Sequence, residues 1–181
     1  NADKPEGFSI NVDGTVYSAS NLLIATGSVP VLPAIPGIDE GVAAGVVLTN
    51  REILDIKTVP SSLVIVGGGV IGLEMASYFN TAGSKVTVIE MLDHVAGAVD
   101  LKIAEILMKN YIKKGIEFKL GAKVTQIRTA GAADDADGSG TELRFAEVVY
   151  EADGQSFTIP AEKILMCVGR KPATEGLGLE A

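Results

Sequence analysis

The chain has 181 residues, 47% of them hydrophobic, enough to bury the core of one domain or of one domain with an appendage. Its formal net charge of −8 argues against nucleic acid and anionic membrane surfaces as partners, since both need a basic face. No apolar run reaches the roughly 18 residues of a membrane span, no signal peptide is read, and the single cysteine, Cys167, allows no internal disulfide and suits a reducing compartment.

The chain opens Asn1-Ala2-Asp3-Lys4 without an initiating Met and reads as a piece of a longer one, cut at both ends. Phe8–Val12 and Thr15–Ala19 are expected as two strands joined by Asp13-Gly14, a hairpin dipeptide. A third strand is expected over Asn21–Ala25, ending at Thr26-Gly27-Ser28. Three short strands without a helix cannot make a core, so residues 1–28 read as a strip of a neighbouring domain. Residues 29–60 read as a connection. Pro30, Pro33 and Pro36 keep Val29–Asp39 extended. Thr49-Asn50-Arg51-Glu52 is a capping box that opens a short helix through Leu54, and Pro60 closes the segment.

The main domain is expected over 61–169. The apolar strand Leu63–Val66 leads into Gly67-Gly68-Gly69-Val70-Ile71-Gly72, which fits G-x-G-x-x-G, followed by a helix over Leu73–Ala82. A second strand, Val86–Ile89, ends at the acid Glu90. Strand, glycine turn, helix, strand and carboxylate, in that order, make the dinucleotide-binding βαβ arrangement, with the acid about 20 residues past the glycines. Gly67 permits the sharp turn, Gly69 lets the backbone approach a pyrophosphate, and Gly72 lets helix and strand pack closely. The helix start offers free N–H groups and the positive end of its dipole. Glu90 would accept hydrogen bonds from the adenosine ribose. A 2′-phosphate there would meet a carboxylate, and Met91-Leu92-Asp93-His94-Val95-Ala96 holds no Arg or Lys to receive it, so NAD is expected over NADP.

A helix is expected from Asp100 to Lys114, with Ile103, Ile106, Leu107 and Tyr111 on its sheet-facing side and Gly115 as its stop. Glu117–Leu120 is expected as a third parallel strand. Ala122–Arg128, Glu142–Tyr150 and Gln155–Ile159 are expected as antiparallel strands, with Ala130–Gly140 a mobile acidic loop. Lys163–Val168 is a buried strand leading to Gly169-Arg170, and residues 170–181 turn back toward the first strip. The fold class is α/β: a Rossmann-like three-layer domain with a β-meander, preceded by a small antiparallel strip. Cys167, in an apolar strand, reads as a structural thiol. His94 reads as a solvated loop residue, and Asp134, Asp135 and Asp137 as a solvated turn without the Gly and closing Glu of a calcium loop. No metal site is expected. Arg170 and Lys171 stand between a nucleotide or flavin contact and an ion pair at a domain junction.

Four segments resemble the pyridine nucleotide–disulfide oxidoreductases: LLIATGSVPVLPAIPG at 22–37, VPSSLVIVGGGVIGLEMASYF at 59–79, GSKVTVIEMLDHV at 83–95 and ILMCVGRKPATEGLGLE at 164–180. The resemblance implies an NAD domain set between parts of an FAD domain. By motif, Gly67, Gly68, Gly69, Val70, Ile71, Gly72, Leu73 and Glu74 would line NAD, with Glu90 at the ribose, Val124 at the adenine and Gly169 at the nicotinamide end. Thr26, Gly27 and Ser28 match an FAD contact. Val70 stands where a side chain gates the nicotinamide pocket, and Glu74 matches an acid whose lysine partner beside the flavin this chain lacks. No catalytic residue is expected here, because the family's redox pair C-x-x-x-x-C and its His–Glu pair lie outside these residues.

Within the family the resemblance is strongest to the members that oxidise dihydrolipoamide on a lipoyl carrier, using FAD and NAD, in 2-oxo acid dehydrogenase or glycine cleavage complexes. It implies a homodimer when intact, in the cytoplasm or the mitochondrial matrix. Mercuric reductases, glutathione reductases and NADH oxidases share the layout, and a stand-alone NAD-binding module is a further alternative.

Overall fold

In the computed structural model, residues 7–129 and 145–179 are described. The expected loop Ala130–Gly140, with Asp134, Asp135 and Asp137, lies outside them, as does the start of the expected strand at Glu142. The chain divides into two compact units, residues 1–29 with 172–181 and residues 30–171.

In the smaller unit β1 (Phe8–Val12) and β2 (Thr15–Ala19) pair antiparallel, with Phe8 opposite Ala19 and Val12 opposite Thr15. Asp13 and Gly14 take φ of 49° and 85°, the left-handed pair of a turn that matches strand twist. The third strand expected over Asn21–Ala25 does not form. A strand needs a hydrogen-bonded neighbour, and none of the described residues pairs with this run, so Leu22, Leu23 and Ile24 are exposed. The next strand is β3 (Ser28–Pro30), on which the chain enters the larger unit.

Residues 29–60 are more than a connection. They supply α1 (Ile38–Ala43) and β4 (Val47–Leu48) to the larger unit. Gly37, at φ 89°, makes the turn before α1, and the Pro36 carbonyl accepts the Ile127 N–H at 2.9 Å. A helix of six residues is too short to show a period in the sequence, where the prolines are the stronger signal. The capping box forms at Thr49, whose N–H donates to the Glu52 carboxylate at 2.8 Å, and whose hydroxyl bonds the same carboxylate. That hydroxyl holds the Glu52 carboxyl below its ordinary pKa. Only one 3₁₀ turn follows, Glu52–Leu54, pinned by buried Ile53.

Next come β5 (Ser62–Val66), α2 (Val70–Ala82), β6 (Lys85–Ile89), α3 (Leu101–Lys113) and β7 (Glu117–Lys119). After them follow β8 (Lys123–Thr129), β9 (Ala146–Ala152), β10 (Gln155–Ala161), β11 (Lys163–Met166) and β12 (Arg170–Pro172), where the chain leaves the larger unit. Five strands form a parallel sheet of order β4-β11-β5-β6-β7, and β10-β9-β8 form an antiparallel meander. Alternation along β5 splits the core. Leu63 and Ile65 pack with Ala76 and Phe79 of α2, whereas Val64 and Val66 pack with Val124, Ile127 and Val148 of the meander. Helices, parallel sheet and meander are thus the three layers expected.

Two expectations are corrected here. Helix α2 starts three residues earlier than Leu73, because Gly69 is extended and serves as its N-cap. On α3 the inward face is Ala104, Leu107, Met108 and Tyr111, while Ile103 and Ile106 are 59% and 60% exposed. Both faces obey the i, i+3, i+4 spacing, and small Ala104 settles which one sits against buried Leu73 and Val95. Asp100 caps this helix by accepting from Lys102 N–H at 3.0 Å and Ile103 N–H at 3.3 Å.

Urea denaturation should separate these positions. Ile65→Ala empties a fully buried site and should cost about 2–5 kcal/mol. Ile106→Ala should stay within about 0.5 kcal/mol of the parent.

Candidate functional site

The candidate site grows from the adjacent ends of β5 and β6, where Val66 pairs with Ile89. Just beyond, Gly67 N–H donates to the Ile89 carbonyl at 2.8 Å. Gly67 has φ 107°, and a Cβ on it would overlap the Cys167 carbonyl. A Cβ on Gly72 would overlap the Gly67 carbonyl oxygen. These two glycines let strand, turn and helix touch at backbone distance. Gly69 differs: its φ is −73°, and a Cβ there would meet nothing within 4 Å. No side chain caps α2 at Gly69, so the first N–H groups of that helix are left for a ligand or water.

Glu90 follows β6 with its carboxylate held in place. Oε2 accepts the Gly68 N–H at 2.6 Å and Oε1 accepts the Leu92 N–H at 2.9 Å. Its backbone is fixed as well, for Glu90 N–H donates to the Lys119 carbonyl at 2.9 Å and its own carbonyl accepts Ala122 N–H at 2.9 Å. Gly68 is buried against it, and a Cβ there would come within 3.2 Å of the Glu90 Cβ.

A cavity of about 580 Å³ opens along this line. Gly67, Gly69 and Glu90 form one side, Ala122, Lys123 and Val124 another, and Pro33, Ala34, Ile35 and Cys167–Gly169 the rest. A smaller cavity of about 210 Å³ shares Gly69, Cys167 and Gly169 with it, and adds Asn50, Val70, Ile71 and Arg170. Arg170 donates to Asn50 Oδ1 at 2.9 Å.

The structure therefore brings together Gly67, Gly69, Val70, Ile71, Glu90, Val124 and Gly169 of the residues expected from sequence. Gly68 and Gly72 act behind them, in packing. Leu73 does not line the cavity but is buried with Val95, Ala96 and Ala104. Glu74 lies exposed on α2. Thr26, Gly27 and Ser28 belong to the smaller unit, where Gly27 has φ 79° and its carbonyl accepts Ala173 N–H at 3.0 Å. Sequence reasoning missed Ala34, Ile35, Asn50 and Lys123. The first three sit in the stretch read as a connection, and Lys123 carried no signal beyond its place next to Val124.

Cys167 is half-buried rather than fully enclosed, and it lines the cavity. Burial pushes its thiol up to about 12, so it stays protonated near neutral pH. His94 is also more engaged than a solvated loop residue. Its Nδ1 lies 2.7 Å from Asp93 Oδ1 and its Nε2 lies 3.1 Å from the Gly97 carbonyl. The neighbouring Asp93 carboxylate raises its pKa above the ordinary value. Among the described residues no cluster of three or more His, Cys, Asp or Glu could hold a metal, and no helix is long and apolar enough to cross a membrane.

A glycine turn between parallel strands, an uncapped helix start and a fixed carboxylate past the second strand have the arrangement of the dinucleotide-binding βαβ unit. Residues 3–181 match the family model described as pyridine nucleotide-disulphide oxidoreductase, and the chain belongs to that family. Its relatives include dihydrolipoyl dehydrogenase of Acholeplasma laidlawii, 41% identical over 172 residues that make up 93% of this chain and 46% of that protein. The mitochondrial dihydrolipoyl dehydrogenase of Mesocricetus auratus is 38% identical over 98% of this chain and 35% of its own length. Among solved structures, the HOCl-induced flavoprotein disulfide reductase RclA from Escherichia coli matches with a TM-score of 0.73 at 27% identity, covering 96% of this chain and 38% of that one. The chain spans less than half the length of each of these relatives.

The two kinds of glycine should part under substitution. Gly72→Ala should lower stability by about 1–3 kcal/mol, the cost of forcing a methyl into a close-packed contact. Gly69→Ala should melt within about 0.5 kcal/mol of the parent, since its backbone suits alanine. Thermal unfolding followed by circular dichroism measures both.

Proposed function

We propose that residues 30–171 bind NAD(H), and that the chain is the NAD-binding portion of a FAD-dependent dihydrolipoamide dehydrogenase. The observation that carries this reading is the cavity that joins the open Gly69 turn to the fixed Glu90 carboxylate. A pyrophosphate suits Gly69, where the backbone is bare and the uncapped start of α2 supplies N–H groups and a favourable dipole. Each Glu90 oxygen accepts one backbone N–H and keeps acceptor capacity for a ribose hydroxyl. Ile35 and Val124 offer apolar walls for the adenine. Gly169, Val70 and Ile71, around the smaller cavity, take the nicotinamide end, with the exposed Val70 side chain as its gate. Thr26, Gly27 and Ser28 contact FAD, and Glu74 meets a lysine beside the flavin that this chain does not supply.

When bound, FAD and NAD supply the hydride transfer of the whole reaction, dihydrolipoamide + NAD⁺ → lipoamide + NADH + H⁺. This chain's residues bind and orient the nucleotide end. With one cysteine it cannot hold a redox pair, so it turns over no dihydrolipoamide by itself. The parent enzyme acts as a homodimer on the lipoyl carrier of a 2-oxo acid dehydrogenase or glycine cleavage complex, in the cytoplasm or the mitochondrial matrix. A second reading, an NAD(P)H-dependent disulfide reductase or NADH oxidase of the same family, draws on the likeness to RclA and on Lys123. That side chain is a cation in the Glu90 cavity that could meet a 2′-phosphate.

Calorimetric titration of the chain with NAD⁺, NADH and NADP⁺ tests the proposal. NAD(H) should bind, NADP⁺ should bind at least about tenfold more weakly, as like charges beside Glu90 require, and Glu90→Gln should narrow that gap. Gly69→Ala should weaken NADH binding while leaving the fold intact. Tighter binding of NADP⁺ would favour the second reading, and measurable dihydrolipoamide oxidation by the chain alone would overturn its assignment as a nucleotide-binding portion.

A further inference from the structure

We propose that His94 is a positioning residue for the dinucleotide: its ring bridges Asp93 and the Gly97 carbonyl, and so holds the loop that fixes Gly68 and Glu90. The inference rests on the NAD reading above. The loop of residues 91–97 leaves the ribose-binding acid and folds back over the glycine turn. Val95 is buried between α2 and α3, and Ala96 takes φ 65°, a conformation that side chains other than glycine rarely adopt. In that conformation Ala96 N–H donates to the Gly68 carbonyl at 2.8 Å, while Gly68 N–H donates to Glu90 at 2.6 Å. The peptide groups on both sides of Gly68 are thereby fixed, one by the loop and one by the acid, immediately before Gly69.

His94 straps this loop at Asp93, at 2.7 Å, and at Gly97, at 3.1 Å. Both partners are acceptors, and only the imidazolium donates from both ring nitrogens. Loss of the proton therefore breaks one of the two ties. The charged groups that face the ring are Asp93 and Glu90 on its own segment and Glu105 of α3, which lines a small cavity with His94, Leu101, Ala104 and Met108. Asp93 first and Glu90 with it favour the imidazolium, and the desolvation of the ring opposes them. The strap is therefore complete below the ordinary histidine pKa of about 6.5, and it is lost as pH rises through the raised value of the folded chain.

His94 is the sole histidine, so a single imidazole resonance reports on it, and a loss of affinity between pH 6 and 8.5 that His94→Gln abolishes is assigned to it rather than to the α-amino group. NADH affinity of the chain, measured by fluorescence titration, should fall about two- to fivefold across that range, the scale open to one exposed ion pair and one hydrogen bond. By reciprocity, NADH should raise the pKa of His94 seen by NMR. His94→Gln should bind NADH at pH 6 as weakly as the parent does at pH 8.5, with a flat profile.

Asp93→Asn separates positioning from simple charge. The Asp93 side chain is 96% exposed, so the variant keeps the fold and removes one negative charge near an anionic ligand. Positioning predicts weaker NADH binding, and charge alone predicts tighter binding. Unchanged or tighter binding by Asp93→Asn, or a flat pH profile in the parent, overturns the proposal. Failure of the parent to bind NADH at any pH sinks the nucleotide reading, and the role of His94 with it.

Discussion

The hydrogen bond from Gly68 N–H to the Glu90 carboxylate, 2.6 Å long, is the constraint on which the rest of the site depends. It ties the turn after β5 to the residue after β6, and it can exist only because the two strands run parallel and in register from Ser62 opposite Lys85 to Val66 opposite Ile89. A slip of one residue would turn Glu90 to the other face of the sheet. With the bond made, Gly67 turns back under Cys167, Gly72 seats α2 on the Gly67 carbonyl, and the helix start faces the cavity that Glu90 borders. The carboxylate costs less to hold half-buried because two backbone N–H groups satisfy it.

The cavity also needs the two faces of the sheet to be used differently. The face toward the helices is closed by Ala76, Phe79 and Ile116. The other face carries the meander, and β8 approaches the ends of β5 and β6 closely enough for Ala122 N–H to bond the Glu90 carbonyl. Val124 serves both ends of this arrangement, as a core residue and as part of the cavity wall. The segment from Pro33 to Ile35 completes the enclosure, held by Pro36 and Gly37 against Ile127. The site is thus built where five separate stretches of chain converge, at the carboxyl ends of parallel strands, as open α/β sheets require.

The loop of residues 91–97 shows how little bulk is needed to finish such a site. It contributes two buried side chains, Val95 and Ala96, one backbone donor from Ala96 and one ring, His94. Its left-handed Ala96 is kept by these surroundings, as a strained backbone conformation must be. The same loop bonds forward, since the Leu92 carbonyl accepts the Gly121 N–H at 2.8 Å and so joins the acid to the start of β8.

The sequence by itself determined the elements whose chemistry is local. Asp13-Gly14 turned the hairpin, Asp100 capped α3, and the glycine run made the tight turn between β5 and α2, because turn, cap and close approach each demand a particular residue at a particular spacing. What depends on a distant partner was settled only by the tertiary structure. The run Asn21–Ala25 has the look of a strand but finds no neighbour among the described residues, and α1 and β4 form in a proline-rich stretch because Ile38, Val46 and Val47 are buried against the sheet and meander. Ile103 and Ile106 had the spacing of an inward face, yet the side that packs on Leu73 and Val95 is that of Ala104, Leu107, Met108 and Tyr111. Leu73 is itself buried in that cluster. Ile35, Asn50 and Lys123 line the cavities although nothing in their local sequence marks them for a ligand, since the folded chain decides which side chains share a space.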